Sequence, residues 1–294
     1  MVQQIEQACL AMERAADAGT RDAADAFLQT FRATSRPYAL CTFLLQGSFV
    51  SHAQFSALDT IKIAVQREGR VLGGAFLEEL KNTLLNCLVT RAGTGTWTKL
   101  IMNECVHVVA ILYKMICLDE DEVRLKAEKQ QHKKFDERPA FIAMANYVAS
   151  LLQRGQAAVQ PGAPSAPSAM FFSILALELS KALTAEFTQG TAHSNAGVSV
   201  SMHIRCHAAF EQHVLLNLAT LVLTQCLPAT LQSLTALSSS GASSASSSSS
   251  LIDLLHVLHS LLDFLDNLLQ FEFSDEKHPE RLAMKWALGS TASV

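Results

Sequence analysis

Aromatic side chains are scarce in this sequence. They make up 7% of its 294 residues, and glycine occupies only 13 positions. Sheets draw on Val, Ile, Tyr and Thr in alternation, and that pattern is missing. The apolar content of 49% comes mainly from Leu and Ala, which favours helices packed on helices. Basic excess is missing too. A formal net charge of −4 provides no electrostatic footprint for nucleic acid. No two cysteines form a CxxC pair; Cys9, Cys41, Cys87, Cys105, Cys117, Cys206 and Cys226 stand singly, most of them in apolar runs. Buried, reduced thiols in a cytosolic or nuclear protein are expected.

No signal peptide is expected from the first residues either. MVQQIEQACLAMERAADAG reads as an amphipathic helix with acidic residues, whereas a signal peptide needs a basic start and a continuous apolar stretch. The longest apolar runs, Cys105–Leu118 and Val214–Leu227, fall short of the roughly 20 residues that cross a bilayer. A soluble chain is the expectation.

What is present is helical periodicity. Val2–Ala18 places Ile5, Cys9 and Met12 on one face and stops at Gly19. Arg21–Ala33 follows with Ala24, Phe27, Leu28 and Phe31 inward. Thr34 and Ser35, ahead of Arg36–Pro37, predict a capped short helix carrying Leu40, Cys41, Leu44 and Leu45. His52–Glu68 keeps Phe55, Leu58, Ile61 and Val65 in register, and Gly69 with Gly73–Gly74 marks the next turn. Phe76–Arg91 and Trp97–Leu118 complete the first half. Grouped as antiparallel pairs (2–18 with 21–33, 36–46 with 52–68, 75–91 with 97–118), these units repeat at about 35 to 45 residues, the period of HEAT and armadillo arrays.

The second half is interrupted. Asp119–Arg138 is charged, acidic first and basic after, and reads as a solvated helix or insertion. Phe141–Arg154 is amphipathic. Gln156–Ser168 is a Pro/Ala/Gly-rich linker. Met170–Phe187, Cys206–Leu227 and Leu251–Leu269 are further helices, and the Ser tract at Ser238–Ser250 is expected to be a disordered loop. The domain expectation is therefore HEAT-like repeats over 1–118, a charged insertion over 119–138, and further repeats over 139–273. Loops fall at 155–168, 188–205 and 238–250, and an irregular tail covers 274–294. The fold class expected is all-α, an α-α superhelix of HEAT-like pairs (an ARM/HEAT solenoid). A solenoid ends on a polar-faced cap, and none is legible past Phe273, so one arc of a longer array is expected.

Catalytic chemistry finds little footing. Gly93-Thr-Gly95 lacks the rest of a phosphate-binding fingerprint. His203, Cys206, His207 and His213 invite a metal, but no second Cys or carboxylate pair completes four-fold ligation. Asp253, His256 and His259 read as a solvated helix face, and Glu78–Glu79 lack an apolar pocket that would part their pKa values. No catalytic residue, metal or cofactor is assigned. The second helix of each pair offers more. Asp22, Asp25, Gln29 and Arg32 recur at spacings of three and four; so do Asp59, Lys62 and Gln66, flanked by Arg67, and then Asn103, His107 and Lys114. Side by side, such stripes form the usual binding surface of a solenoid. Asp25, Gln29, Arg32, Lys62, Gln66, Arg67, Asn103 and His107 are the candidate protein-binding residues.

Three blocks carry a family resemblance. AFLQTFRATSRPYALCTFLL (Ala26–Leu45) has F-x-x-F-R followed by a Pro and a Cys. FSALDTIKIAVQRE (Phe55–Glu68) has F-x-A-x-x-x-I-x-x-x-V-x-R-E. ALTAEFTQGTAHSNAGVSVSMHIRCHAAFEQ (Ala182–Gln212) has E-F, a loop with S-N-x-G, then S-M and a later Phe. Together they resemble the N-terminal region of the exportin-4 group in the importin-β superfamily of nuclear transport receptors. The resemblance implies a superhelix of HEAT repeats that binds Ran-GTP, meets nucleoporins, and shuttles between nucleus and cytoplasm. Implied cargo is protein: translation initiation factor five A or a Smad-type factor outward, Sox-type factors inward. If Ran is the partner, the polar stripes lead to the expectation that Arg32, Lys62, Gln66 and Arg67 contact its nucleotide-sensitive surface. An exportin-7-type receptor, a HEAT scaffold with no Ran link and, more distantly, a metal-dependent enzyme are the alternatives.

Overall fold

The computed structural model describes residues 1–14, 17–131, 138–156, 167–188, 200–239 and 245–271. Every regular element among them is helical and no strand occurs, so the fold is all-α. The described residues form two compact units, one ending at Val123 and one beginning at Arg124.

In the first unit, α1 (Val2–Arg14) packs on α2 (Ala18–Arg32) and α3 (Tyr38–Gly47) on α4 (Ser51–Leu72). The short connections make each pair a helical hairpin. α5 (Gly74–Cys87) continues through a π-helical turn, Leu88–Ala92, and faces α6 (Lys99–Gln131). Cys105 Sγ lies 3.9 Å from Leu84 O, and the Lys81 ammonium sits 4.7 Å from the Tyr113 ring centroid. Ile5, Leu44, Leu45, Leu58, Ile61, Leu84 and Leu112 are fully buried. Each contributes roughly 1.5–3 kcal/mol by leaving water.

Local chemistry sets the helix ends. Asp17 accepts a hydrogen bond from the Thr20 N–H at 2.7 Å and so caps α2; that bond holds its carboxyl below the usual value. Thr34 and Ser35 do not cap α3, which starts one residue after Pro37 with no side-chain cap. α4 runs on through Gly69 to Leu72, because Gly69 is buried against Met115 and the turn waits for Gly73. At Gly73 φ is +76°, a conformation other residues rarely adopt.

In the second unit, α7 (Pro139–Gln156) packs on α8 (Pro167–Phe187), and α8 on α12 (Ala245–Gln270). Between them, one helical run goes unbroken from Val200 to Ser239. It comprises α9 (Val200–Phe210), a π turn at Glu211–Leu215, α10 (Leu216–Leu221), a second π turn at Val222–Cys226, and α11 (Leu227–Ser239). Phe187 and Phe210 stack with centroids 4.5 Å apart and rings 2° from parallel; His207 and Phe271 repeat that geometry. All four are fully or almost fully buried.

Several expected loops are helical instead. α12 begins at Ala245, so residues 245–250 of the Ser tract continue a helix whose apolar face, from Leu254 on, docks on α8 and α11. Packing of that face outweighs the poor propensity of serine. α9 takes residues 200–205, and α6 extends through the charged segment to Gln131. The rest of the linker, the S-N-x-G loop and the tail over 274–294 lie outside the described residues.

The apolar runs are also longer in the fold than in the letters. Lys99–Glu128 and Met202–Ser238 are both long and apolar enough to cross a membrane by length and composition. The first is 78% buried, as a core helix is; the second is 39% buried. All seven cysteines are buried. Burial pushes Cys41 up to about 12 and Cys226 up to about 11, so both stay protonated at neutral pH.

Candidate protein-binding face

The candidate face lies in the first unit, where α2, α4 and α6 each contribute a polar edge. Arg32 on α2 places its Nε 3.1 Å from Asp59 Oδ2 on α4, an ion pair without a well-directed hydrogen bond. Lys62, one turn along α4, lies 3.5 Å from the other oxygen of Asp59 and also hydrogen-bonds Glu104 on α6. The result is a ladder, Arg32–Asp59–Lys62–Glu104, that crosses three successive second helices. Its members are between 16% and 32% exposed, so the charges are partly screened from water. Burial pushes the Lys62 ammonium down, but the Glu104 hydrogen bond and the charges of Glu104 and Asp59 outweigh it. The net shift is upward.

A second set of ties joins each hairpin to the one before it. Arg67, near the end of α4, donates from Nη2 to Thr34 O at 2.9 Å and from Nη1 to Ala33 O at 3.5 Å. Arg91, in the π turn after α5, donates to Gln46 O at 3.0 Å and Ser48 O at 2.6 Å. Helix C-termini expose unpaired carbonyls and carry partial negative charge. Each arginine therefore satisfies the end of a helix in the preceding hairpin, α2 and α3 respectively.

The eight candidate residues divide accordingly. Arg32, Lys62 and Arg67 are bonded within the chain as described. Gln29 donates to Asp25 at 2.7 Å along α2. Gln29, Gln66, Arg67 and His107 are exposed, while Asp25 and Asn103 are half-buried. Asn103 Oδ1 is shielded from solvent and accepts no hydrogen bond. Lys114, placed on the polar stripe by spacing, is instead fully buried, because α6 is enclosed along most of its length.

Glu104 and Arg91 were not among the candidates. Glu104 is adjacent to Asn103, and an acidic residue there was a legible partner for Lys62. Arg91 had no such signal, since a π turn alters the register that helical spacing assumes.

In the second unit, His203 and His207 do not turn toward a ligand position. His207 Nδ1 is 2.5 Å from Phe187 O and His203 Nε2 is 2.8 Å from Thr188 O, so both rings cap the end of α8. Among the described residues, no group of three His, Cys, Asp or Glu side chains is placed to hold a metal ion. No protein-family model matches this chain, and no solved structure matches it.

Proposed function

We propose that this chain is a binding protein built as HEAT-like pairs in an α-α superhelix, that its second helices present a common face to a protein partner, and that the partner is Ran in its GTP form. The ladder Arg32–Asp59–Lys62–Glu104 carries the reading. It lashes three successive second helices together through one polar edge, so their outward groups act as one surface rather than three. Gln29, Gln66, Arg67 and His107 are the exposed groups of that surface. The choice of Ran rests on the three sequence blocks. On this reading the chain is the N-terminal part of a non-enzymatic nuclear export receptor, with protein cargo, nucleoporin contacts and nucleocytoplasmic shuttling. Preference for GTP would come from switch segments that order only with the γ-phosphate present. In a pull-down, GTP-locked Ran is expected to be retained and GDP-bound Ran lost. Equal retention, or none, defeats the proposal.

A scaffold with no Ran link is the second reading, and one observation favours it. Arg32, Lys62 and Arg67, three of the groups assigned to the switch surface, are already bonded inside the chain. That reading expects neither nucleotide form to be retained.

A further inference from the structure

Thr34 and Ser35 lie between α2 and α3, and neither caps the helix that follows. The Thr34 hydroxyl donates back to Thr30 O at 3.4 Å instead. Ser35 sits on an exposed stretch, with Thr34 and Arg36 exposed on either side. Residues 34–37 belong to no helix, so this stretch can enter an enzyme cleft as an extended segment. Arg32 stands three residues before Ser35, the setting read by kinases that seek an arginine at that distance from their acceptor. Arg32 is already paired with Asp59, so such a kinase has to displace that carboxylate. The pair is a single contact at 3.1 Å with side chains 32% and 22% exposed, a class of bond worth little.

The surroundings of Ser35 give its modification a consequence. Arg67 and Glu68 of α4 grip the loop by its backbone. Arg67 donates to Thr34 O and Ala33 O, and Glu68 Oε1 accepts the Arg36 N–H at 3.4 Å. Arg67 Nη2 also lies 2.6 Å from that carboxylate oxygen, so the two side chains act as one latch. Arg36 is held at φ +49°, and no other described non-glycine residue has positive φ. Such a conformation persists only where its surroundings hold it. Two negative features lie beside Ser35. One is the carbonyl end of α2, whose last turn is closed by the Ala33 and Thr34 N–H groups. The other is the Glu68 carboxylate, whose side chain is only 14% exposed.

We infer that Ser35 is a phosphorylation site for a protein kinase that reads an arginine three residues before its acceptor, and that the phosphate unlatches the end of α2. The kinase supplies Mg-ATP. The Ser35 oxygen bonds the γ-phosphorus as the bond from that phosphorus to the β–γ bridging oxygen breaks; ADP leaves, and the hydroxyl proton passes to a base of the kinase. The new group carries a charge of about −1.5 to −2. Covalent lengths keep it within about 10 Å of Glu68, near one Debye length. Beside a carboxylate and a helix C-terminus such a group repels, and so works against the Arg36–Glu68 bond that holds the strained residue. The site stands whether or not Ran is the partner.

The full chain, incubated with calmodulin-dependent protein kinase II and Mg-ATP, is the test, with phosphate located by mass spectrometry. Phosphate at Ser35 is expected. Ser35→Ala should lose it, and Arg32→Gln should slow its incorporation by roughly tenfold, the loss of one charge-assisted contact. Phosphoserine placed at position 35 during translation tests the consequence separately. Hydrogen exchange of the Ala33 and Thr34 amides should rise roughly three- to tenfold. No phosphate at Ser35, incorporation undiminished by Arg32→Gln, or unchanged or slowed exchange at those two amides would overturn the inference. Should Arg32→Gln misfold, Ser35→Ala and the exchange measurement still decide it.

Discussion

The two units close their helix ends with the same device made from different materials. In the first, Arg67 and Arg91 reach from one hairpin to the carbonyls ending α2 and α3, and a ladder of half-buried charges links the second helices. In the second, His203 and His207 cap the end of α8 from inside the core, and His207 stacks on Phe271. Long cations suit an edge that meets water, since stem and head can be wetted along with the bond. An imidazole suits an interior, where it supplies one donor and a flat apolar face. The first unit thus places its polar bonds where a partner could reach them. The second buries its two histidine caps and adds aromatic packing.

The largest effect is expected where the second unit stacks. Phe210→Ala removes a fully buried ring against Phe187 and should cost about 3–5 kcal/mol. Native-state hydrogen exchange should show the loss in α7–α12 before α1–α5. Gly155→Ala comes next. A Cβ there would lie 1.9 Å from Ser173 Oγ and 2.7 Å from Ser173 N, so α7 and α8 would have to part. A cost of about 1–3 kcal/mol, read as a lower denaturation midpoint, fits overpacking of this kind.

Breaking the ladder should cost less. Glu104→Ala leaves Lys62 with Asp59 alone, and about 1 kcal/mol is expected for such a partly screened charged bond, read by the same denaturation. The ladder also has a pH signature. Lys62 is raised above its ordinary 10.5, so its contribution is complete below that value and fades as pH climbs through the higher folded value. Glu104→Ala should flatten the alkaline loss of stability in the first unit. The smallest effect belongs to Arg70→Ala. Its pair with Glu122 is 52% and 38% exposed, and a change below about 0.5 kcal/mol in the denaturation midpoint is expected. A cost comparable to that of Glu104→Ala would erase the distinction between ladder and surface.

How far the letters reached varies along the chain. Ile5, Leu28, Leu58 and Ile61 follow directly from apolar spacing, because a 3.6-residue period is a property of the sequence itself. Three rungs of the ladder were visible as well, since Arg32, Asp59 and Lys62 lie on legible stripes. Their bonding was not, because it depends on how closely α2, α4 and α6 approach. His203 and His207 share a face at four-residue spacing, but their partners are backbone carbonyls, which no side-chain pattern reveals. The run of serines misled for a different reason. Composition reports local propensity, whereas the helix over 245–250 continues one held by Leu254, Val257 and Leu261.

We propose that the second helices of the first unit act as one binding face for Ran-GTP. Hydrogen–deuterium exchange of the full chain, alone and with GTP-locked Ran, tests it most directly. Slowed exchange is predicted around Gln29, Gln66, Arg67 and His107, and is absent with GDP-bound Ran. Unchanged exchange there, or the same protection with both nucleotide forms, would contradict it.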